Sequence, residues 1–335
     1  MTTGPSVIRS SFKPARWLTN RHAQTIYTSL PWAYRYRPRL VRKVLDLPDG
    51  DATAVDWLAS SFDLPGTSPL LVILHGLESS SESAYARMLI EAAERHQWRC
   101  CVLHFRDCGD YRNRLPRRYH AGETGDIRYF LERLELAEQS GPIVAAGYSL
   151  GGNVLLKYLG EVGETSRLTA AAAVCVPLDL HKCADALQVG FSRTYQRHLL
   201  KRMKNAVARK FDRHTAAFDW ERAMSARTFE EFDDAVTAPL HVFKGKTDYY
   251  DRCSSVNYLK DIALPTLIVN AMDAPFMTPG VIPHRDRLSR QITLEISEGG
   301  GHVGFIEGGT PWAPEYYLPR RVIEFLEPFT ARPGL

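Results

Sequence analysis

The chain has 335 residues, of which 44% are hydrophobic and 24% charged, and a formal net charge of +4. Such a balance is ordinary for a globular protein and argues against a disordered chain or a strongly basic nucleic-acid binder. The length suits one large domain with an insertion, or two modest ones.

In chain order, the N-terminus is polar and shows no apolar core of a signal peptide. "LLVILH" (Leu70 to His75) is predicted to be a buried strand. In "YARMLIEAAERH", Met88, Leu89, Ala92 and Ala93 share a helical face. "CCVLHF" is the next strand. "DIRYFLERLELAE" sets Ile127, Phe130, Leu131 and Leu134 at helical spacing. "IVAAG" is a strand, and after Ser149 a helix is expected with Val154, Leu155, Tyr158 and Leu159 inward. "AAAVCV", "TLIVNA" and "ITLEIS" complete the strands. Continuous apolar runs alternating with helices predict a mostly parallel sheet covered on both faces, an α/β architecture.

The rhythm breaks between about Leu178 and Val256. That stretch holds helix-like segments and the aromatics Phe191, Tyr195, Phe211, Phe218, Trp220, Phe229, Phe232, Tyr249 and Tyr250. Ordinary connections are much shorter, so residues 179–256 are expected to form a mainly helical cap on a core made of 1–178 and 257–335. Its basic segment "RHLLKRMKNAVARK" carries Leu199, Leu200, Met203 and Val207 at helical spacing. A solvated amphipathic helix is the plain reading, and a membrane-surface or substrate-gating helix is the alternative.

The chemistry-bearing stretch is "AAGYSLGGNVLLKYLG". A serine between Gly147 and Gly151, after a strand and before a helix, is the pattern of a nucleophile elbow. The hydroxyl of Ser149 needs a base, a group that orients the base, and oxyanion donors. "SEGGGHVGF" offers His302 after the last strand. His75, His198, His214, His241 and His284 are less well placed. "TLIVNAMDAPF" offers Asp273 just past a strand, with Asp179 as runner-up and Asp248 and Asp251 as further alternatives. The oxyanion donors are expected to be the backbone N–H groups of Leu150, next to the nucleophile, and Leu77, after His75-Gly76 in "LHGLESSSES". The six cysteines include no CxxC pair, and adjacent Cys100 and Cys101 sit in an apolar run. No metal or cofactor is expected, since ligand spacing and phosphate-cradling glycine loops are both missing. No segment approaches the ~20 apolar residues of a membrane span. A soluble, cytoplasmic protein fits this cysteine usage.

These residues resemble the α/β-hydrolase superfamily, and within it the YheT/EMB8-like (ABHD-type) esterases. The resemblance runs from "FKPARWLTNRHAQTIYTSLPW" through "HGLESS", "YHAGETGDIRYFL", "GYSLGGN" and "SRTYQRHLLK" to "NAMDAP" and "GGHVGF". It implies a Ser149–His302–Asp273 triad, no cofactor, and hydrolysis of small-molecule or lipid carboxylic esters through an acyl-enzyme. Nucleic acid is not an expected partner. Peripheral membrane contact and oligomeric state are left open. The alternatives are an acyltransferase using the same acyl-enzyme and a non-catalytic binding protein of the same fold. Two departures stand out. Asp273-Ala274 occupies a place where the family usually shows two acids. In "FRDCGDYRNR", Asp107, Gly109 and Asp110 stand where R-G-C-S-G is usual. This loop is expected to border the site, where added carboxylates disfavour anionic substrates.

Overall fold

The computed structural model describes residues 4–30, 32–136 and 139–331. Nine strands form one sheet: β1 Ser6–Arg9, β2 Leu40–Asp46, β3 Ala52–Leu58, β4 Leu70–Leu74, β5 Arg99–Leu103, β6 Ile143–Tyr148, β7 Ala170–Val174, β8 Thr266–Ala271 and β9 Ile292–Ser297. Their spatial order is β1-β9-β8-β7-β6-β4-β5-β3-β2. From β1 across to β5 every pairing is parallel, and β3 and β2 add an antiparallel edge. The six strands expected from the apolar runs are all present. Helices Ala84–Arg95, Gly125–Leu136 and Leu150–Val162 make the crossovers.

The central strands β4, β6, β7 and β8 are buried at every residue. β6 and β7 contribute small residues, with Ala145, Ala146 and Gly147 in register beside Ala171, Ala172 and Ala173. Alanine is a poor strand former in isolation. Here small side chains let the helix after β6 press onto the sheet: a Cβ on Gly152 would lie 2.7 Å from Val176.

Among the described residues, no strand lies between β7 and β8. The chain instead forms helices Leu180–Leu187, Ser192–Lys210, Trp220–Ser225 and Phe229–Phe232, then a π-helical turn Asp233–Thr237 that leads into Ala238–Leu240, and finally Lys246–Cys253. Leu200, Met203, Val207, Phe232 and Val236 form a separate apolar cluster that packs on Leu77. Tyr249 and Tyr250 pack on Leu150. The insertion therefore sits on Leu77 and Leu150, the two residues whose amides are the expected oxyanion donors. The basic amphipathic helix starts earlier than its densest run of charge, at Ser192, and buries Leu200, Met203 and Val207.

Candidate active site

Parallel sheets present their sites at the C-terminal ends of the strands. Here β4 leads to Leu77, β6 to Ser149, β8 to Asp273 and β9 to His302. Ser149 has φ 52° and ψ −120°, a left-handed conformation that non-glycine residues adopt only under strain. The flanking glycines make that turn passable. A Cβ on Gly147 would lie 2.5 Å from the Gly151 carbonyl oxygen, and one on Gly151 would lie 2.4 Å from the carbonyl oxygens of Leu74 and His75.

The structure brings Ser149 and His302 together, with Nε2 of the imidazole 3.0 Å from the serine Oγ. Burial pulls the His302 pKa down to about 3. At neutral pH the ring is therefore uncharged, which is the form able to take a proton from the serine. Its ring lies against Phe276 with centroids 4.2 Å apart.

Asp273 sits in the same loop cluster. Its carboxylate accepts the Gly301 N–H at 2.9 Å. Burial outweighs such bonds and raises its pKa above the ordinary carboxylate value. No hydrogen bond joins it to the imidazole, because His302 Nδ1 is buried without a partner. The other acids are engaged elsewhere. Asp179 caps the Leu180–Leu187 helix through the Lys182 N–H and pairs with Lys182 Nζ at 3.1 Å. Asp251 meets His181 at 2.9 Å, and Asp248 accepts the Lys244 N–H at 3.0 Å.

The two residues expected to give the oxyanion donors line the same cavity as the serine. A Cβ on Gly76 would lie 3.5 Å from the Ser149 Cβ, so the Gly76-Leu77 backbone passes close to the hydroxyl. Neighbouring amides of that loop are committed: Gly76 N–H donates to Tyr85 and Glu78 N–H to Tyr119. The Leu150 amide opens the Leu150–Val162 helix, where N–H groups lack intrahelical partners. Leu77, Leu150, Ser149 and His302 line one cavity of about 590 Å³, whose wall is otherwise largely apolar and includes Leu180, Leu187, Leu199, Met203, Phe229 and Phe276.

The competing histidines lie outside this arrangement. His75 is fully buried at the end of β4, where Nε2 accepts the Phe105 N–H. His241 packs on His120 with centroids 4.5 Å apart. His198 lines the cavity from the Ser192–Lys210 helix. Of the insertion's aromatics, Tyr195, Phe229, Tyr249 and Tyr250 reach the cavity. Phe211, Phe218, Trp220 and Phe232 fill the insertion's own core, and Phe191 is half exposed.

The Asp107–Asp110 loop borders the cavity at Ser149 without lining it. It lines a neighbouring cleft that shares Ser79, Ser80 and Arg202 with the cavity at Ser149. Asp107 is paired with Arg118 at 2.7 Å, and Arg118 also pairs with Glu78. Arg112, Arg202 and Arg209 share the cleft. Asp107 is thus neutralised by Arg118, and three further cations line the cleft beside Asp110.

Two further contributors carry no motif of their own. Thr25, on the N-terminal helix Arg21–Tyr27, accepts the His302 backbone N–H at 2.9 Å and donates to the Arg21 carbonyl at 2.8 Å. Buried Gln24 bonds both the N–H and the carbonyl of Ile306, at 2.8 and 3.0 Å. Together they bolt the N-terminal helix to the histidine loop. Asp233 is a buried carboxyl in the cavity wall. It accepts Tyr250 OH at 2.7 Å and Thr237 OH at 2.6 Å, and burial lifts its pKa to about 6.

A strained serine on a strand–helix turn, a neutral histidine on its hydroxyl and a largely parallel sheet define an α/β hydrolase. The profile of the family described as "alpha/beta hydrolase fold" matches residues 69–309, and the chain belongs to that family. Within it, the chain is 40% identical over 331 residues to the candidate esterase YheT of Escherichia coli, covering 97% of this chain and 96% of that one. It is 27% identical over 331 residues to the human phospholipase ABHD3, covering 96% of this chain and 80% of the relative. Among solved structures, the Pyrococcus furiosus esterase Pf2001 superposes with a TM-score of 0.57 at 15% identity, covering 98% of this chain and all of the other. The family supports hydrolase activity. Among the described residues, no helix is long and apolar enough to cross a membrane, and no group of three or more metal-binding side chains occurs.

Proposed function

We propose that the chain is a carboxylic ester hydrolase that works through an acyl-enzyme on Ser149. The observation that carries the reading is the 3.0 Å contact between Ser149 Oγ and the uncharged His302 Nε2. His302 takes the hydroxyl proton as the oxygen attacks the ester carbonyl. The Leu77 and Leu150 amides receive the developing oxyanion. His302 then protonates the departing alkoxide. In the second half, the same nitrogen takes a proton from water, the hydroxide so formed attacks the acyl carbonyl, and His302 returns the proton to the Ser149 oxygen as the acid leaves.

Asp273 is the proposed orienting acid. Support comes from its place on the histidine loop, from the engagement of its rivals elsewhere, and from an Nδ1–H that has no other partner. The 179–256 insertion acts as the cap, and its apolar inner face suits the acyl chain of a small or lipid-derived ester. The test is hydrolysis of a series of neutral p-nitrophenyl esters. The account expects turnover that disappears in Ser149→Ala and in His302→Ala. A folded wild-type protein with no turnover on any acyl length would refute it.

A further inference from the structure

The Ser192–Lys210 helix carries Arg193, Arg197, Lys201, Arg202, Lys204, Arg209 and Lys210 and no acidic residue. That concentration is out of proportion to a chain whose net charge is +4. Three of these cations are used internally: Arg202 on the Glu78 carbonyl, Lys204 on the Met224 and Ala226 carbonyls, and Lys210 on Asn113. The side chains of Arg193, Arg197, Lys201 and Arg209 make no ion pair or hydrogen bond among the described residues. Helices whose exposed arc is merely solvated mix both signs and gain from pairs along the helix.

The same surface displays apolar side chains. Val189 and Phe191, just before the helix, are 70% and 51% exposed, and Ile26 is 41% exposed. These residues are not scattered. The His22 ring packs on Phe191 at 4.6 Å, and Ile26 follows His22 by one helical turn. The catalytic cavity is bounded by Ile26 and Leu30 on one side and by Tyr195, His198 and Leu199 on the other. The exposed Ile26 and the helix that bears the unpaired cations thus both contribute to the wall of one apolar cavity, whose lining acids are Glu82 and Asp233.

We infer that this face docks on an anionic phospholipid bilayer, with Phe191, Val189 and Ile26 entering the headgroup boundary and the basic arc lying along the phosphates. Unpaired lysines and arginines near such a surface contribute additively and are screened by salt, while inserted apolar residues supply the part that salt does not remove. The orientation turns the cavity toward the lipid. Docking does not rest on Ser149 being a nucleophile, so the two readings fail separately.

The test uses the full chain and vesicles of pure phosphatidylcholine or of phosphatidylcholine with phosphatidylglycerol, read by co-sedimentation. The inference expects binding to the anionic vesicles, weak binding to the neutral ones, and release by high salt. The triple variant R193Q/R197Q/K201Q should partition roughly a hundredfold more weakly. Phe191→Ser should remove most of the salt-resistant fraction. These four residues lie outside the cavity wall, so turnover of a soluble ester and the unfolding midpoint should stay at wild-type values, which shows the variants are folded. Equal binding to both vesicle types, or anionic binding that the triple variant leaves intact, would overturn the inference. So would tighter binding to duplex DNA than to the anionic vesicles.

Discussion

Acid is predicted to unfold this protein through its histidines. Burial holds the pKa of His75, His120 and His302 at about 3, against an ordinary value of 6.5. The unfolded chain therefore binds protons that the folded chain refuses. The stability these groups support is complete above about pH 7.5. It is lost as pH falls from the unfolded value of 6.5 toward the folded value of about 3. At about pH 5 each group contributes a loss of roughly 2 kcal/mol, one and a half pH units at about 1.36 kcal/mol per unit. Three groups give about 6 kcal/mol, and His241, pushed down to about 2, adds in the same direction. Asp233 opposes them. Its folded pKa of about 6 means that the folded chain gains a proton first, worth about 1.4 kcal/mol at that pH. The net loss is about 4 kcal/mol or more, a large share of an ordinary stability. Urea unfolding at about pH 7.5 and about pH 5, with a common m-value, measures it. His302→Gln isolates one member and should shrink the difference by about 2 kcal/mol. A wild-type loss below about 2 kcal/mol would refute the reasoning. A His302→Gln difference equal to wild type would mean that the imidazole is charged in the folded protein, held so by Asp273.

Further predictions concern the site itself. Thr25→Val removes the acceptor of a buried amide and should lower kcat by roughly ten- to a hundredfold with little change in KM, while Thr25→Ser retains turnover; steady-state kinetics on one soluble ester decides. Asp273→Asn should cut turnover on the order of 10⁴-fold, the scale seen when a protease triad loses its acid, while Asp179→Asn stays near wild type; the reverse pattern would transfer the role to Asp179. Gly151→Ala forces a Cβ to 2.4 Å from two carbonyl oxygens and should cost about 3 kcal/mol or more, read as a lower urea midpoint.

The core of the sheet was legible because six strands are continuous apolar runs, and only a strand covered on both faces needs such a run. β2 was not, since "LVRKVLD" exposes most of its residues at a sheet edge and lacks the strand signal. β1 is four residues long and exists by pairing with β9, more than 280 residues away. Ser149 and His302 could be read from the sequence because glycines must flank both turns. Thr25 and Gln24 could not, since their role depends on a helix near residue 25 meeting a loop near residue 302. The pairing of Asp107 with Arg118 could not be read from the sequence, because it is a tertiary fact. The unpartnered Nδ1 is likewise visible only in three dimensions.

The central claim is that Ser149 is an activated nucleophile. Reaction of the folded protein with a fluorophosphonate, followed by peptide mass spectrometry, tests it most directly. The account predicts a single adduct on Ser149, absent in Ser149→Ala and strongly slowed in His302→Ala. An adduct on another residue, or a folded protein that takes no label, would contradict it.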